Sequence, residues 1–134
     1  MSGLPPCQLP ARVAFPDWMP EDLPLPAGVY AKQDVGQENG YFRGLFVLPG
    51  STTQFARFVL KAWPAAGWQL GRGDAEQGEV EDSFGKAPAV GAFKAQDQAC
   101  DPGYTLLLLI YTPNRTTLPL PGTSPQSPLA SPSS

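Results

Sequence analysis

Two cysteines are the residues of this chain with the clearest capacity for covalent chemistry. Cys7 and Cys100 are the only ones, and they are separated by 93 positions. A disulfide between them would tie the N-terminal segment to the domain and contribute about 3–5 kcal/mol to the free energy of unfolding. Two separate thiols in a reducing compartment are the alternative. A catalytic cysteine is disfavoured because the chain has no histidine to activate a thiol.

An acidic stretch is the second candidate for chemistry. Its carboxylates are Asp74, Glu76, Glu79, Glu81 and Asp82. Oxygen ligands of this kind bind calcium, but their spacing differs from that of an EF-hand loop. A solvated hairpin rim is the simpler interpretation. A small hydrolase that uses this loop, with Glu79 or Glu81 in its reaction, is a remote alternative, since a small domain rarely provides the cleft. We expect no metal, no cofactor and no catalytic residues.

Aromatic and basic side chains on strands are the remaining candidates for binding. Most tryptophans fit core positions, whereas Tyr41 and Tyr111 are predicted to be more exposed and suited to stacking on sugars or peptide side chains. Together with Arg43 they form the predicted binding set.

Composition excludes several classes of function. The chain has 134 residues, which indicates one domain, and its formal charge is −3 with only nine Lys and Arg, which disfavours nucleic-acid binding. The longest apolar run, residues 106–110, is too short to cross a membrane, and the N-terminus lacks the pattern of an export signal. We therefore expect a protein that does not span a membrane.

One amphipathic helix must organise the fold. Ser51 and Gln54 form a capping box, and Gly67 is suited to the left-handed residue after the helix. Between them, apolar residues recur at helical spacing. They are Phe55, Phe58, Val59, Ala62 and Trp63. The pattern predicts a helix over 52–66 with one face buried.

The strands surround this helix in the chain. An Asn39-Gly40 turn joins predicted strands 29–35 and 41–48 into a hairpin. After the helix, strands are predicted over 68–71, 90–96 and 104–112, and the last is apolar on both faces, which is typical of a central strand. Residues 72–86 are predicted to form a glycine-rich acidic connection, of which 80–84 is a candidate for one more strand. The predicted fold class is α+β, with an antiparallel sheet of four to five strands packed on the helix.

The two ends of the chain are rich in proline. Residues 1–26 are predicted to form an extended strap, because residues 13–26 carry too many large apolar groups for a disordered segment. Residues 27–112 form the predicted core domain, and 113–134 a disordered Pro/Ser-rich tail. One helix covers one face of a sheet, so residues 13–26 of the strap are predicted to cover the other face, with a second copy of the chain as the next candidate.

The order of these elements resembles a type of small uncharacterised bacterial exported or lipoprotein-associated domain. The resemblance is carried by the Leu-Pro-Leu-Pro-Ala-Gly lead at 23–28, the Ser51-capped helix and its Gly67-Trp68 end, and it extends over residues 23–112. It implies an α+β fold without known catalytic residues. A weaker similarity is to SPOR peptidoglycan-binding domains, although residues 41–44 lack the opening expected there.

The function expected from these observations is non-enzymatic. The chain is expected to be a binding or structural accessory domain of the bacterial cell envelope, working outside the cytoplasm through a sheet face or strand edge. Its partner would be a protein or an envelope component, and the chain would be a monomer or a homodimer. A cytoplasmic adaptor that self-associates through the open sheet face is the alternative.

Overall fold

The computed structural model describes residues 6–100 and 102–114. In this part of the chain the order of elements is β1 (Tyr30–Glu38), β2 (Tyr41–Pro49), α1 (Thr52–Ala65), β3 (Gln69–Leu70), β4 (Asp74–Glu76), β5 (Glu79–Lys86), β6 (Ala89–Gln98) and β7 (Tyr104–Thr112). All strand pairs are antiparallel, in the sheet order β1-β2-β7-β6-β5-β3, and β4 pairs with β5. The prediction of an α+β fold, with an antiparallel sheet on one helix, is confirmed.

The number of strands differs from the prediction. The described residues contain seven strands rather than four to five. The difference arises after the helix, in the predicted acidic connection: Glu79–Lys86 form β5, and Asp74–Glu76 form β4, a strand of three exposed residues. Strands this short do not display an alternating pattern, so the acidic residues of β4 were predicted to belong to a connection.

The central position predicted for the last strand is correct. β7 lies between β2 and β6 and pairs with both along its length. Its odd-numbered side chains, from Thr105 to Tyr111, are buried, whereas Leu106, Leu108 and Ile110 are half-buried. Because alternate residues of a strand point to opposite sides, the sheet has one fully covered face and one partly covered face.

We name the two faces of the sheet by what packs on them. The first face carries α1: the rings of Phe55 and Trp63 contact Phe93 at centroid distances of 5.5 and 5.4 Å. Residues paired across strands share a face, and Phe93 lies opposite Leu109, so Leu107 and Leu109 also belong to the first face. The second face holds the other residues of each strand, including Leu108 and Ile110.

The helix begins and ends as the sequence predicts, within one residue. The Gln54 N–H donates to Ser51 Oγ at 3.2 Å and the Ser51 N–H donates to Gln54 Oε1 at 2.9 Å, which completes the capping box. At the other end the Trp68 N–H donates to the Trp63 carbonyl at 3.0 Å across Gly67, whose φ is +95°. This Schellman turn directs the chain into β3.

Residues 13–26 of the strap lie on the first face, beside the helix, so the prediction that they cover the opposite face is wrong. The Trp18 ring stacks on Phe42 at 5.7 Å, and the Phe15 ring contacts Phe46 at 5.6 Å. Both partners are on the first face, since Phe46 pairs with Leu107. The helix packs on β3, β5 and β6. The part of the first face formed by β2 is therefore open to the strap.

Backbone carbonyls of the strap accept hydrogen bonds from the core. The Trp63 indole N–H donates to the Pro24 carbonyl at 2.7 Å, and the Trp68 indole N–H donates to the Asp22 carbonyl at 2.9 Å. A buried indole N–H needs a partner, and proline-rich chain leaves carbonyls unpaired. These bonds explain why a segment without regular structure has a defined path.

The first described part of the strap, residues 6–12, lies on the second face. Val13 pairs with Ala31 at the edge of β1, and the Tyr30 hydroxyl donates to the Pro10 carbonyl at 2.7 Å. Tyr30 pairs with Val47, which places both on the second face. Residues 6–12 therefore cover one end of that face, and the chain wraps around the β1 edge.

The predicted boundaries at residues 26/27 and 112/113 stay predictions. Most of the predicted tail, residues 115–134, lies outside the described residues, as do residues 1–5 and 101.

Candidate functional site

The centre of the second face is an apolar strip that the described residues leave half-buried. Three neighbouring strands contribute to it: Leu45 pairs with Leu108 across β2 and β7, and Ala92 pairs with Ile110 across β6 and β7. Leu106 extends the strip along β7. We call these residues, Leu45, Ala92, Leu106, Leu108 and Ile110, the apolar strip. Each is partly accessible to solvent, in contrast to the first-face residues of β7.

A cavity of about 430 Å³ lies over part of the apolar strip. Its floor includes Ala92, Leu108 and Ile110, and its wall includes Arg72 and Lys94. An apolar floor with charged groups at its margin is the arrangement found in many ligand and peptide sites. The second face is therefore the candidate functional site.

The carboxylates of the acidic stretch divide between the two faces. Glu79 and Glu81 are on the second face, opposite Gln96 and Lys94 of β6. Asp82 pairs with Phe93 and belongs to the first face. Burial raises the pKa of the Asp82 carboxyl, and hydrogen bonds from the Ser83 and Gly71 N–H groups oppose that rise.

Four carboxylates, Asp74, Glu76, Glu79 and Glu81, form what we call the acidic rim of the second face. In the β4–β5 ladder Asp74 lies directly opposite Glu81, and Glu76 lies directly opposite Glu79. Within the described residues no group of three or more acidic or cysteine side chains could hold a metal ion. The structure agrees with the interpretation of this stretch as a hairpin rim, since β4 and β5 are joined by a short turn at Gln77 and Gly78.

Lys94 is the basic residue in contact with the acidic rim. Its Nζ lies 3.3 Å from Glu79 Oε2 and 3.9 Å from Glu81 Oε2. Hydrogen bonds from Glu81 and then Lys94 lower the pKa of Glu79, whereas the hydrogen bond with Glu79 raises the pKa of Glu81. The two carboxylates thus contact the same lysine, and each affects the pKa of the other.

The three residues predicted as a binding set do not form one site. Arg43 lies on the second face, opposite Ile110, and forms an ion pair with Glu38. Tyr111 lies on the first face and is 6% exposed, and Tyr41 is 1% exposed. The prediction that the two tyrosines are exposed is therefore wrong. Burial, and then the Asp22 carboxylate, raise the pKa of the Tyr111 hydroxyl.

Cys7 and Cys100 are joined in a disulfide, with their Cα atoms 5.1 Å apart. Cys100 follows the end of β6, so the bond attaches the N-terminal segment to the end of the sheet where β7 begins. From there residues 6–12 reach Tyr30. The disulfide thus holds one end of the segment that borders the second face.

Lys94 and the apolar strip were not among the predicted site residues. The run of β7 is apolar on both faces, so its sequence does not indicate which face other elements cover. The spacing of Glu79 and Glu81, two residues apart in a strand, was an available signal that they share a face. Only the β5–β6 register shows that Lys94 lies beside these two glutamates.

The one helix in the described residues is not long and apolar enough to cross a membrane. Comparison with protein-family models, curated proteins and solved structures finds no match to this chain. The function is therefore argued from the geometry of the site.

Proposed function

We propose that this protein is a non-enzymatic binding or structural accessory domain of the bacterial cell envelope, and that it binds through the second face of its sheet. The observation that carries the proposal is the half-buried apolar strip at the centre of that face. Apolar surface is favourable to bury, at about 25 cal/mol per Å². The side chains of Leu45, Leu108 and Ile110 would add to affinity for whatever covers them.

The edges of the sheet are poorer candidates for the same role. β1 is interrupted by register shifts between Ala31 and Gln33 and between Asp34 and Gly36, and Val13 already pairs with its start. On the opposite side the outer strands β3 and β4 have two and three residues. Bulges and very short strands are features that prevent edge pairing. Of the two modes expected from the sequence, the face is therefore better supported than an added strand.

The Cys7–Cys100 bond supports a location outside the cytoplasm. Disulfides persist in oxidising compartments and are rare in the bacterial cytosol. The resemblance of the lead at residues 23–28 and of the Gly67-Trp68 helix end to bacterial exported domains favours the same location. A cytoplasmic adaptor, the alternative, would have to fold with this bond reduced.

Cosedimentation with an isolated bacterial envelope fraction tests the proposal. Oxidised protein should sediment with the envelope material, and the second-face variant Leu108→Thr/Ile110→Thr should remain in the supernatant. The matched control is Leu60→Thr, because Leu60 is a helix residue that is 66% exposed and lies away from the second face. Circular dichroism verifies that each variant is folded.

Two outcomes would contradict the proposal. One is that the wild-type protein fails to sediment, and the other is that the second-face variant sediments as the wild type does. Light scattering on the same samples separates the alternative, since a stable dimer that Leu108→Thr/Ile110→Thr dissociates would identify a self-associating protein.

A further inference from the structure

The apolar strip is small compared with a protein–protein interface. It is three strands wide and extends from Leu106 to Ile110 along β7. With strands about 4.8 Å apart and a rise of about 3.4 Å per residue, it measures roughly 10 by 14 Å. A stable protein–protein interface buries about 800 Å² on each partner. The strip fits a single segment of polypeptide better than a second copy of this domain.

On the β5 side of the apolar strip the charge is predominantly negative, whereas on the β1 side Arg12 lies over the Tyr30 ring at 4.4 Å. The acidic rim contributes four carboxylates, and the cations near them are Lys94 and Arg72. The side chains of Glu81 and Glu79 are 52% and 30% exposed, so an approaching ligand can reach them. Arg43, on the other side of the strip, is paired with Glu38 and adds little positive charge.

The strand register places carboxylates of the acidic rim opposite one another, so their negative charge is not fully neutralised by neighbouring cations. Asp74 opposes Glu81, and Glu76 opposes Glu79, so both outer pairs of the three-residue β4 are carboxylate against carboxylate. Like charges directly opposite each other in a ladder are destabilising. Lys94 contacts Glu79 and Glu81 from β6, on the side away from β4. A cation placed over the β4–β5 ladder would relieve this repulsion.

We propose that the second face binds a cationic polypeptide segment, with its apolar side chains on the apolar strip and its lysine or arginine side chains on the acidic rim. This inference rests on the proposed function, which it deepens by naming the chemistry of the partner. The favourable terms are burial of the strip and pairing of the opposed carboxylates. An acidic segment would meet the rim with like charge.

Two synthetic peptides of equal length test the inference, one alternating leucine with lysine and the other leucine with glutamate. Each is labelled and titrated with the oxidised full chain, and binding is followed by fluorescence anisotropy. The lysine peptide should bind at least about tenfold more tightly, and the difference should shrink as the salt concentration rises.

Charge-matched variants separate site binding from general attraction to an acidic protein. Glu76→Gln/Glu81→Gln should weaken binding of the lysine peptide several-fold. Asp17→Asn/Glu21→Gln removes the same charge from the strap and should leave affinity unchanged. Leu108→Thr should weaken binding at both high and low salt, because it acts on the apolar contact.

The inference is overturned if the two peptides bind equally, if neither binds, or if the rim and strap variants have the same effect. If the glutamate peptide binds more tightly and Leu108→Thr weakens that binding, the proposal of a cationic partner is wrong, but binding through the second face is still supported. Failure of the proposed function itself is seen separately, in cosedimentation that does not depend on Leu108 and Ile110.

Discussion

Asp74 lies directly opposite Glu81 in the β4–β5 ladder, on the exposed side of a three-residue strand. Coulombic repulsion from Asp74 is one of the factors that raise the pKa of Glu81, after the hydrogen bond with Glu79 and burial. The β4–β5 pairing therefore forms despite the repulsion between these two carboxylates. It also connects local stability with the proposed recognition of a cationic segment.

Replacing Asp74 with Asn should stabilise the β4–β5 hairpin at neutral pH by about 0.2–1 kcal/mol, because one directly opposed pair of like charges is removed. Hydrogen exchange at the Glu76 and Glu81 amides measures the local effect, because their pairs carry the hydrogen bonds of the β4–β5 ladder. The gain should fade at acid pH, where protonation of Glu81 removes the same repulsion. Glu21→Gln, a change of equal charge in the strap, is the control, and equal gains in both variants would contradict the explanation.

The disulfide should contribute strongly to stability. It closes a separation of 93 residues, and Cys7→Ser/Cys100→Ser should lower the free energy of unfolding by about 2–5 kcal/mol. Urea denaturation with and without reductant measures the loss. Reductant should not affect the double variant, and non-reducing mass spectrometry of the wild type should show the loss of two hydrogens. Two free thiols in protein prepared under oxidising conditions would contradict this prediction.

The indole hydrogen bond of Trp63 should matter more than that of Trp18. Trp63 is 0% exposed and donates to the Pro24 carbonyl, whereas Trp18 is half-buried and donates to Asp34 at 3.2 Å. Trp63→Phe leaves the half-buried Pro24 carbonyl without its donor and leaves a small void in the core, at a cost of about 1–3 kcal/mol. Trp18→Phe should cost less, because water can reach its partner. Denaturation curves of the two variants give the comparison, and equal losses would count against the role of Pro24.

The ion pair of Lys86 and Asp22 should make stability depend on acid pH. Lys86 Nζ lies 2.6 Å from Asp22 Oδ2, and this hydrogen bond lowers the pKa of Asp22. A carboxyl whose pKa is lower in the folded state stabilises the fold above its unfolded value of about 3.9, and the contribution is lost as the pH falls through the folded pKa.

Asp22→Asn should therefore be less stable than the wild type at pH 7, and the two should converge as the pH falls through the lowered folded pKa of Asp22. The pair is exposed and screened by salt, so the expected difference is at most about 1 kcal/mol. Thermal unfolding across this pH range measures it, with Glu21→Gln as the neighbouring control. A difference that persists unchanged at low pH would show that the ion pair is not its cause.

Gly91 should be the glycine of β6 that tolerates no side chain. A Cβ at this position would collide with the Phe84 ring and with the backbone carbonyl of Ile110, and the carbonyl cannot move without disturbing β7. Gly91→Ala should cost about 1–3 kcal/mol. At Gly85 the nearest atom to a Cβ, the Ala89 carbonyl oxygen, is 3.3 Å away, so Gly85→Ala should be milder. Equal melting temperatures for the two variants would contradict this account.

Some elements follow from local sequence alone. The Ser51–Gln54 capping box, the apolar stripe and Gly67 specify the helix, because each acts over only a few residues. The apolar run of β7 predicted both its bounds and its central position. The Asn39-Gly40 turn predicted the first hairpin, and both residues have positive φ, of 55° and 85°.

The site depended on contacts that local sequence does not specify. Alternation along a strand separates Tyr111 from Ile110, but only the packing of α1 decides which of the two faces is covered. The apolar side chains of the strap would suit either face of the sheet. The face is selected by Trp63 and Trp68, which are distant in sequence and donate hydrogen bonds to carbonyls of the strap.

The acidic rim illustrates the same distinction between sequence and tertiary structure. The sequence by itself determined that acidic residues are concentrated between residues 74 and 82, and that one helix and a central apolar strand build the fold. Which carboxylates oppose each other, and that Lys94 reaches two of them, depends on the β4–β5 and β5–β6 registers. Register is a long-range property, because shifting a strand by one residue exchanges its two faces. Tertiary structure alone therefore decided that the rim borders the apolar strip.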